Sequence, residues 1–186
     1  MRIAVVDLET TGFLPERHQI LEIGAVVVDL DKLDSKVADD FTVQIEYPEY
    51  TVEQGAIVSN QIDLRTWSGQ NPAAALNSFM NWIRTWTTDK YPAVCGHNVV
   101  KHDLPFLKHF SKSHAGRTMP VEFSYLVRDT MQIAMHLKDK GVIPSTVSLK
   151  LGDLCDHFGI QTYGDAHRAL PDAKRTADLL RTMLKL

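Results

Sequence analysis

The sequence predicts an α/β domain in which a mixed five-stranded sheet is flanked by helices. Three strand-like segments come first, and helical and strand-like segments alternate after them. Short links between the first strands favour antiparallel pairing, whereas strands separated by a helix favour parallel pairing. The chain has 186 residues, 44% of them hydrophobic, which suits one sizeable core. We therefore expect a single domain over residues 1–186, with three antiparallel strands followed by parallel strands.

The first three predicted strands are short apolar runs that end at turn residues. The first is "RIAVVDLE", which is rich in β-branched residues and is ended by "TTG". The second is "QILEIGAVVVDLDK", and the third is "DDFTVQIEYP", which stops at Pro48. Residues 49–70 show no regular pattern that would extend the sheet, and we expect only short helices there.

Capping residues mark most of the predicted helices. "NPAAALNSFMNWIRTWT" begins with Asn71 as N-cap and Pro72 at the first helical position. A short strand, "YPAVCGHN", precedes the helix "DLPFLKHFSKSH", and "FSYLVRDTMQIAMHL" begins as a strand and becomes helical. In "VSLKLGDLCDHFGI" we expect Ser148 to be the N-cap and Gly159 to end the helix. The last helix, "LPDAKRTADLLRTMLKL", has Pro171 near its first position.

Composition limits the classes of function. The net charge of −3 is unlike that of proteins that coat long duplexes, so a nucleic-acid substrate would be held locally. Two cysteines, Cys95 and Cys155, fit a reduced compartment better than a disulfide framework. No apolar run reaches membrane length, and the early acid in "MRIAVVDLE" is unlike a signal peptide. We expect a cytoplasmic protein with no membrane partner.

The stretch "VVDLETTG" places two acids at the end of a buried strand. Because residues i and i+2 of a strand point to the same face, Ile3, Val5, Asp7 and Glu9 share one face. Two carboxylates so close repel each other, and a divalent cation such as Mg²⁺ or Mn²⁺ relieves the repulsion. The alternative is an acidic strand end that is simply solvated.

Polar residues that could hold a substrate lie beside these acids and after the fourth strand. Thr10 and Thr11 offer hydroxyl and backbone donors to a phosphate or a sugar hydroxyl, and Gly12 permits a close backbone approach. His97 and Asn98 follow the predicted strand "YPAVCG" and could position a substrate. The alternative for the threonines is ordinary turn chemistry.

Two further acids stand at predicted helix starts. Asp103 follows a strand, and Asp172 lies in the first turn of the last helix, so either carboxylate could be a simple capping acid. The functional interpretation makes them additional metal ligands carried on rigid elements. His167 lies in the loop before Asp172, and an ordinary histidine pKa of about 6.5 suits a general base.

Taken together, "VVDLETTG", "HNVVKHDLPFL" and "AHRALPDA" resemble, in this order, the motifs of the DEDDh 3′–5′ exonucleases. That family has a ribonuclease-H-like fold, and the similarity runs over nearly the whole chain. The resemblance implies that Asp7, Glu9, Asp103 and Asp172 hold two Mg²⁺ or Mn²⁺ ions and that His167 is the general base. It also implies a nucleic-acid partner with a free 3′ end and a 5′-mononucleotide product.

The second motif departs from the family pattern by one residue. Five residues instead of four separate His97 from Asp103, and the spacing from Asn98 to Asp103 is closer to that of oligoribonucleases. The downstream "DLPFL" still matches, so Asp103 remains the assignment, with Asp129 as the runner-up. Asp103 is expected to act partly through water.

Several alternatives stay open at this point. One is a noncatalytic module that binds 3′ ends, one an oligoribonuclease-like enzyme acting on very short RNA, and one a metal-dependent phosphatase. A zinc site could draw on "CGH" at Cys95–His97 and "CDH" at Cys155–His157, although this spacing is tighter than that of usual zinc pairs. The sequence also leaves open DNA against RNA, a homodimer, and association with a replication or repair complex.

Overall fold

The computed structural model describes residues 1–35, 39–87, 91–115, 123–164 and 167–186. No helix in these ranges is both long and apolar enough to cross a membrane. The described elements are the strands β1 (Arg2–Thr10), β2 (Ile20–Asp29), β3 (Asp40–Gln44), β4 (Val94–Gly96) and β5 (Arg128–Asp129) and the helices α1 (Gln54–Asn60), α2 (Pro72–Trp86), α3 (Asp103–His114), α4 (Thr130–Asp139), α5 (Leu151–His157) and α6 (Ala169–Met183).

The five strands form one mixed sheet in the order β3-β2-β1-β4-β5. β1 pairs with β2, and β2 with β3, in antiparallel register, whereas β4 pairs with β1 and β5 with β4 in parallel register. This confirms the predicted fold class and strand directions. Because β1 is central, its carboxyl end lies between an antiparallel and a parallel neighbour.

The two faces of β1 pack against different helices. Ala4, Val6 and Leu8 belong to an apolar cluster that includes residues of α2 and α3. Ile3 and Val5 belong to a second cluster with residues of α6. The side chains of β1 continue to alternate between the two faces beyond the apolar clusters. The two acids at the end of β1 therefore face α6, as the strand period predicts.

Helix starts agree with the sequence analysis in one case and differ in another. Asn71 caps α2, and its side-chain oxygen accepts a hydrogen bond from the Ala74 N–H at 3.0 Å. The N-cap of α5 is Lys150, and the prediction of Ser148 was wrong by two residues. The Ser148 hydroxyl instead accepts the Lys150 N–H at 3.1 Å and donates to Asp153 at 2.5 Å, so it stabilises the turn before the helix.

Helix α6 begins two residues before Pro171, with Arg168 as its N-cap. The first turn of α6 lies directly on β2 at Gly24, the cross-strand neighbour of Asp7. A Cβ added at Gly24 would stand 2.2 Å from the carbonyl carbon of Ala169. The absence of a side chain at position 24 is therefore what lets the helix start approach the sheet.

We predict that Gly24→Ala lowers the free energy of unfolding by about 1–3 kcal/mol. The new methyl group would clash with the backbone of the first turn of α6, which can only move together with the helix. Denaturant unfolding measures the change. The matched control is Gly152→Ala in α5, where an added Cβ has no neighbour closer than 3.9 Å. That control is expected to be neutral or stabilising, since alanine favours a helix. Equal stability of Gly24→Ala and wild type would contradict the packing argument.

Candidate active site

Three of the predicted carboxylates converge at the carboxyl end of β1. Asp7 and Glu9 come from the strand, and Asp172 comes from the first turn of α6. One carboxylate oxygen of each residue lies within 4.8 Å of the others. Within the described ranges, this is the one group of three or more histidine, cysteine or acidic side chains close enough to share a cation.

Asp103 lies beside this trio without belonging to it. It is the first residue of α3 and is buried, and the nearby backbone of Asp103 and Leu8 partly offsets the effect of burial on its pKa. Its charge is the strongest electrostatic influence on Asp7. The fourth predicted acid is thus near Asp7, on a rigid helix start, but outside the compact group.

The runner-up acid, Asp129, is occupied by the fold. Its carboxylate accepts the backbone N–H groups of Asn98 at 3.0 Å, Val100 at 3.2 Å and Met131 at 3.0 Å. Asp129 therefore caps α4 and ties the loop after β4 to it. These contacts favour Asp103 over Asp129 as the fourth acid.

The loop between β4 and α3 accommodates the extra residue of the second motif. Asn98 adopts a left-handed backbone conformation, with φ of 61°, and its carbonyl accepts the N–H groups of Lys101 and His102. Asparagine tolerates this conformation better than most residues. The tight turn delivers Asp103 to the start of α3 despite the longer spacing.

The predicted substrate residues are largely engaged by the fold. The His97 ring contacts the Thr130 hydroxyl and the Leu149 carbonyl, each at 2.9 Å, and burial lowers its pKa. The Thr10 hydroxyl donates to the Gly12 carbonyl at 2.8 Å. These contacts support structural roles, and a direct contact with substrate stays a prediction.

Thr11 has a similar place in the turn after β1. Its hydroxyl donates to the side chain of Gln19 at 3.0 Å and accepts the Gln19 N–H at 2.9 Å. Its backbone N–H and carbonyl bind Gln19 and Glu53. The turn beside the acids is therefore held by its own polar groups, which favours the turn-chemistry alternative for the hydroxyl.

Burial and mutual repulsion disfavour the charged form of these acids. The pKa of Asp7 is raised well above its ordinary value, first by burial and then by the charges of Asp103, Glu9 and Asp172. Burial, with the charges of Asp172 and Glu22, raises the pKa of Glu9 to about 8. Burial also raises the pKa of Asp103 to about 7. A hard cation placed among these groups would reverse the effect.

The arginines near the site leave part of this charge unbalanced. Arg168 forms its ion pair with Glu22, and a nitrogen of Arg175 lies 3.5 Å from Asp172 Oδ1. That oxygen is buried and makes no hydrogen bond to any described residue. A convergent set of oxygen donors with an unsatisfied carboxylate oxygen fits Mg²⁺ or Mn²⁺ better than a softer metal.

His167 lies in the loop that leads into α6. It is exposed, has a φ of 61°, and directly precedes Arg168, the N-cap of α6. Residues 165 and 166 of the third motif lie outside the described residues. The structure thus places His167 in the loop before α6, as predicted, and its role as a base stays a prediction.

The cysteines do not form a metal site in the described part of the chain. Cys95 and Cys155 are buried, and burial raises the pKa of both thiols. Neither belongs to the one close group of metal-ligating side chains found there. The ring nitrogens of His97 are also taken, so the contacts give the zinc alternative no support.

Sequence reasoning missed Glu22 and Arg168. Glu22 is a buried acid within β2, and it is the cross-strand neighbour of Glu9. An acid inside the apolar run "QILEIGAVVVD" signals a buried charge that requires a partner. That partner is Arg168, which follows His167 and is 146 residues away from Glu22 in sequence, so spacing alone does not identify it.

Comparison with known proteins places the chain among exonucleases. The family model described as Exonuclease, RNase T, matches residues 4–180. The chain is 26% identical over 182 residues to DNA polymerase III subunit epsilon of Aquifex aeolicus, covering 97% of this chain and 79% of that protein. It is 28% identical over 185 residues to the PolC-type DNA polymerase III of Clostridium perfringens, covering 97% of this chain but only 11% of the relative.

Solved structures match at the level of the fold. Escherichia coli Exonuclease I in complex with a dT13 oligonucleotide superposes with a TM-score of 0.76 at 16% identity, covering 97% of this chain and 40% of that one. Exonuclease I of Methylocaldum szegediense gives a TM-score of 0.77 at 19% identity, with 99% and 40% covered. These likenesses confirm the ribonuclease-H-like fold.

We predict that the metal-free protein loses stability as pH rises from about 4.5 to 8. Folded Glu9, with its pKa raised to about 8, keeps its proton over a range in which the unfolded chain has released it. The unfolded state then binds fewer protons, so the free energy of unfolding falls with pH, by on the order of a few kcal/mol. Urea unfolding in EDTA at several pH values measures this slope.

Two comparisons sharpen that measurement. Glu9→Gln removes one of the titrating groups and should make the slope clearly shallower, whereas Glu16→Gln, at an exposed acid, should preserve it. Added Mg²⁺ or Mn²⁺ should restore stability at high pH, because the cation favours the charged carboxylates. A stability that is constant or rises with pH in EDTA would contradict the raised pKa.

Proposed function

The chain belongs to the exonuclease family, and from this premise we propose that it is a metal-dependent 3′–5′ exonuclease of the DEDDh type. It would hydrolyse phosphodiester bonds from the 3′ end of DNA or RNA and release 5′-mononucleotides. The observation that carries this proposal is the convergence of Asp7, Glu9 and Asp172 within 4.8 Å, with buried Asp103 beside them. Four acids from three separate motifs meet at one end of the sheet.

The four carboxylates are proposed to hold two Mg²⁺ or Mn²⁺ ions. Asp7 would be the central ligand of this set, because the charges of Asp103, Glu9 and Asp172 all act on it. Such cations, when bound, supply positive charge to the attacking and leaving oxygens of the phosphodiester. Glu9 and Asp172 would contribute ligands near the attacking water, and Asp103 would contribute partly through water.

His167 is proposed to accept a proton from the attacking water. The water oxygen forms a bond to phosphorus while the bond from phosphorus to the 3′-oxygen breaks. The departing 3′-oxygen takes up a proton from solvent and becomes the new terminal hydroxyl of the shortened strand. Exposure of His167 in the loop before α6 supports this role, since an accessible ring can exchange a proton with a bound water.

The residues around the acids are proposed to shape the pocket for the terminal nucleotide. Thr10 and Thr11 hold the turn after β1, and His97 and Asn98 hold the loop before α3. Through these internal hydrogen bonds they would hold the turn and the loop in place beside a bound 3′ end. A rigid pocket built from loops on a sheet is a usual arrangement for substrate binding.

A second candidate function is a noncatalytic module that binds 3′ ends. The complete set of acids and the retained His167 favour catalysis, since binding alone does not require an uncompensated carboxylate cluster. An oligoribonuclease-like preference for very short RNA is supported only by the longer spacing before Asp103. The Aquifex relative is named as a polymerase III subunit, and association of this chain with a replication complex is a proposal that rests on that name.

We predict that purified protein with Mg²⁺ or Mn²⁺ shortens a 5′-labelled strand one nucleotide at a time and needs a free 3′-hydroxyl. The same assay with DNA and RNA oligomers of matched sequence, in which the ladders of shortened products are compared, shows which nucleic acid is the substrate. EDTA and Asp7→Ala should each abolish cleavage, because EDTA removes the cation that would stabilise the leaving oxygen and Asp7→Ala removes a carboxylate that would hold it. Asp7→Ala should fold as well as wild type in metal-free buffer, or better, since a repulsive charge is removed.

The control for that assay is Asp156→Ala, which removes an exposed acid on α5 and should leave cleavage unchanged. Rapid cutting of a closed circular single strand would identify an endonuclease instead. Full activity in EDTA would refute the metal-dependent mechanism.

We further predict that His167→Ala and Asp172→Ala fail for different reasons. His167→Ala should lower kcat by about two to four orders of magnitude and leave Mn²⁺ affinity intact, since the ring is a proton acceptor rather than a ligand. Asp172→Ala should weaken Mn²⁺ binding, because it removes one of three convergent carboxylates. Calorimetric Mn²⁺ titration beside a turnover assay separates the two. Near-wild-type turnover of His167→Ala would show that His167 is not the base.

A further inference from the structure

An ion pair that is buried at Glu22 and partly exposed at Arg168 connects the third motif to β2. Glu22 on β2 accepts Arg168 Nε at 2.9 Å on one carboxylate oxygen and the terminal Nη2 at 3.0 Å on the other. The same carboxylate accepts the Ala169 N–H at 3.3 Å and the Thr42 hydroxyl at 3.3 Å. The bidentate geometry fixes the plane of the guanidinium as well as its position.

Arg168 is held by other elements too. Its guanidinium carbon lies 5.5 Å from the ring centroid of Trp67, whose indole N–H donates to the Ile45 carbonyl at 3.0 Å. With its amide oriented to satisfy both ends, Gln44 accepts Arg168 Nη2 at 2.9 Å. Contacts from β2, from the end of β3 and from the loop after α1 therefore converge on one side chain.

The position of Arg168 in the chain makes this anchoring relevant to the proposed base. Arg168 directly follows His167, whose φ of 61° is unfavourable for a residue with a side chain. On its other side, Arg168 begins α6, and its carbonyl accepts the Asp172 N–H at 3.2 Å. Fixing Arg168 fixes the backbone from which the His167 ring projects.

We propose that the Glu22–Arg168 ion pair is a positioning device that fixes the orientation of His167 at the carboxylate cluster. This inference rests on the proposed function, because it assigns a purpose to the anchoring of the proposed base. Neither residue of the pair is catalytic, and both act through His167. A purely structural pair would instead support α6 as a whole and would affect Asp172 equally.

A double-mutant cycle distinguishes the two roles. Arg168→Lys keeps a charge for Glu22 but loses the bidentate geometry and the fixed plane. We expect it to lower kcat by about 10- to 100-fold, the cost of a misplaced catalytic group, while KM and Mn²⁺ affinity change by less than about twofold. In the His167→Ala background the same substitution should cost less than about twofold more, because the group it positions is gone.

The matched control is Arg181→Lys, which makes the same replacement in an arginine–aspartate pair farther along α6. It should leave kcat and Mn²⁺ affinity unchanged. If Arg168→Lys fails to fold, the double variant Glu22→Gln with Arg168→Gln removes both charges together and enters the same cycle. Circular dichroism and urea unfolding check the fold of each protein.

Each outcome decides one question. Independent, multiplicative losses from Arg168→Lys and His167→Ala would overturn the positioning role, as would a clear fall in Mn²⁺ affinity in Arg168→Lys. Wild-type protein that releases no mononucleotide with Mg²⁺ or Mn²⁺ would instead overturn the proposed function, and the assignment of the base with it. Loss of kcat that disappears in the His167→Ala background would support the proposal.

Discussion

The gathering of like charges at the end of β1 is the constraint on which the rest of the site depends. Asp7 and Glu9 share a strand face, and α6 and α3 bring Asp172 and Asp103 to the same place. Burial and repulsion both act against this arrangement, so the acids must keep protons or receive a cation. The fold tolerates this unfavourable burial and repulsion because the carboxylates are attached to rigid strands and helices. The positions of those elements are determined by packing contacts outside the site.

Strand β2 supplies much of that packing. Gly24 and Glu22 are two residues apart and therefore face the same side of the sheet. Gly24 lets the start of α6 approach, and Glu22 binds the residue that caps it. One position works through the absence of a side chain and the other through a charge. Together they determine where the third motif meets the first, although β2 carries none of the proposed metal ligands.

Local rules were sufficient for much of the fold. The period of a strand predicted that Asp7 and Glu9 share a face, and the Asn–Pro pair predicted the start of α2. The same kind of reasoning was wrong for Ser148, because a hydroxyl near a helix start can stabilise the preceding turn instead of the first helical N–H. Helix type and order follow from periodicity, whereas exact starts depend on which of several polar groups is nearest.

The site was predictable where motifs carry rigid ligands and unpredictable where partners are distant in sequence. Asp172 was placed in the first turn of α6 from the proline beside it. By contrast, the partners of His97 are Thr130 and Leu149, which are distant from it in sequence. Glu22 contacts Arg168, which is 146 residues away along the chain. The spacing of residues in the sequence does not predict such long-range contacts. A buried acid in an apolar strand was the available signal, and it indicated that a partner exists without indicating which one.

The charge of the site also links cation binding to nucleic-acid binding. A phosphodiester is an anion, and the acids that surround the proposed reaction centre would repel it in their ionised form. The net charge of −3 adds a weaker, salt-screened repulsion at longer range. A bound divalent cation removes the local repulsion and offers the phosphate oxygens a positive partner. Because linkage is reciprocal, a nucleic-acid 3′ end would strengthen cation binding by the same factor. The carboxylate cluster would therefore contribute to substrate binding as well as to the chemical step.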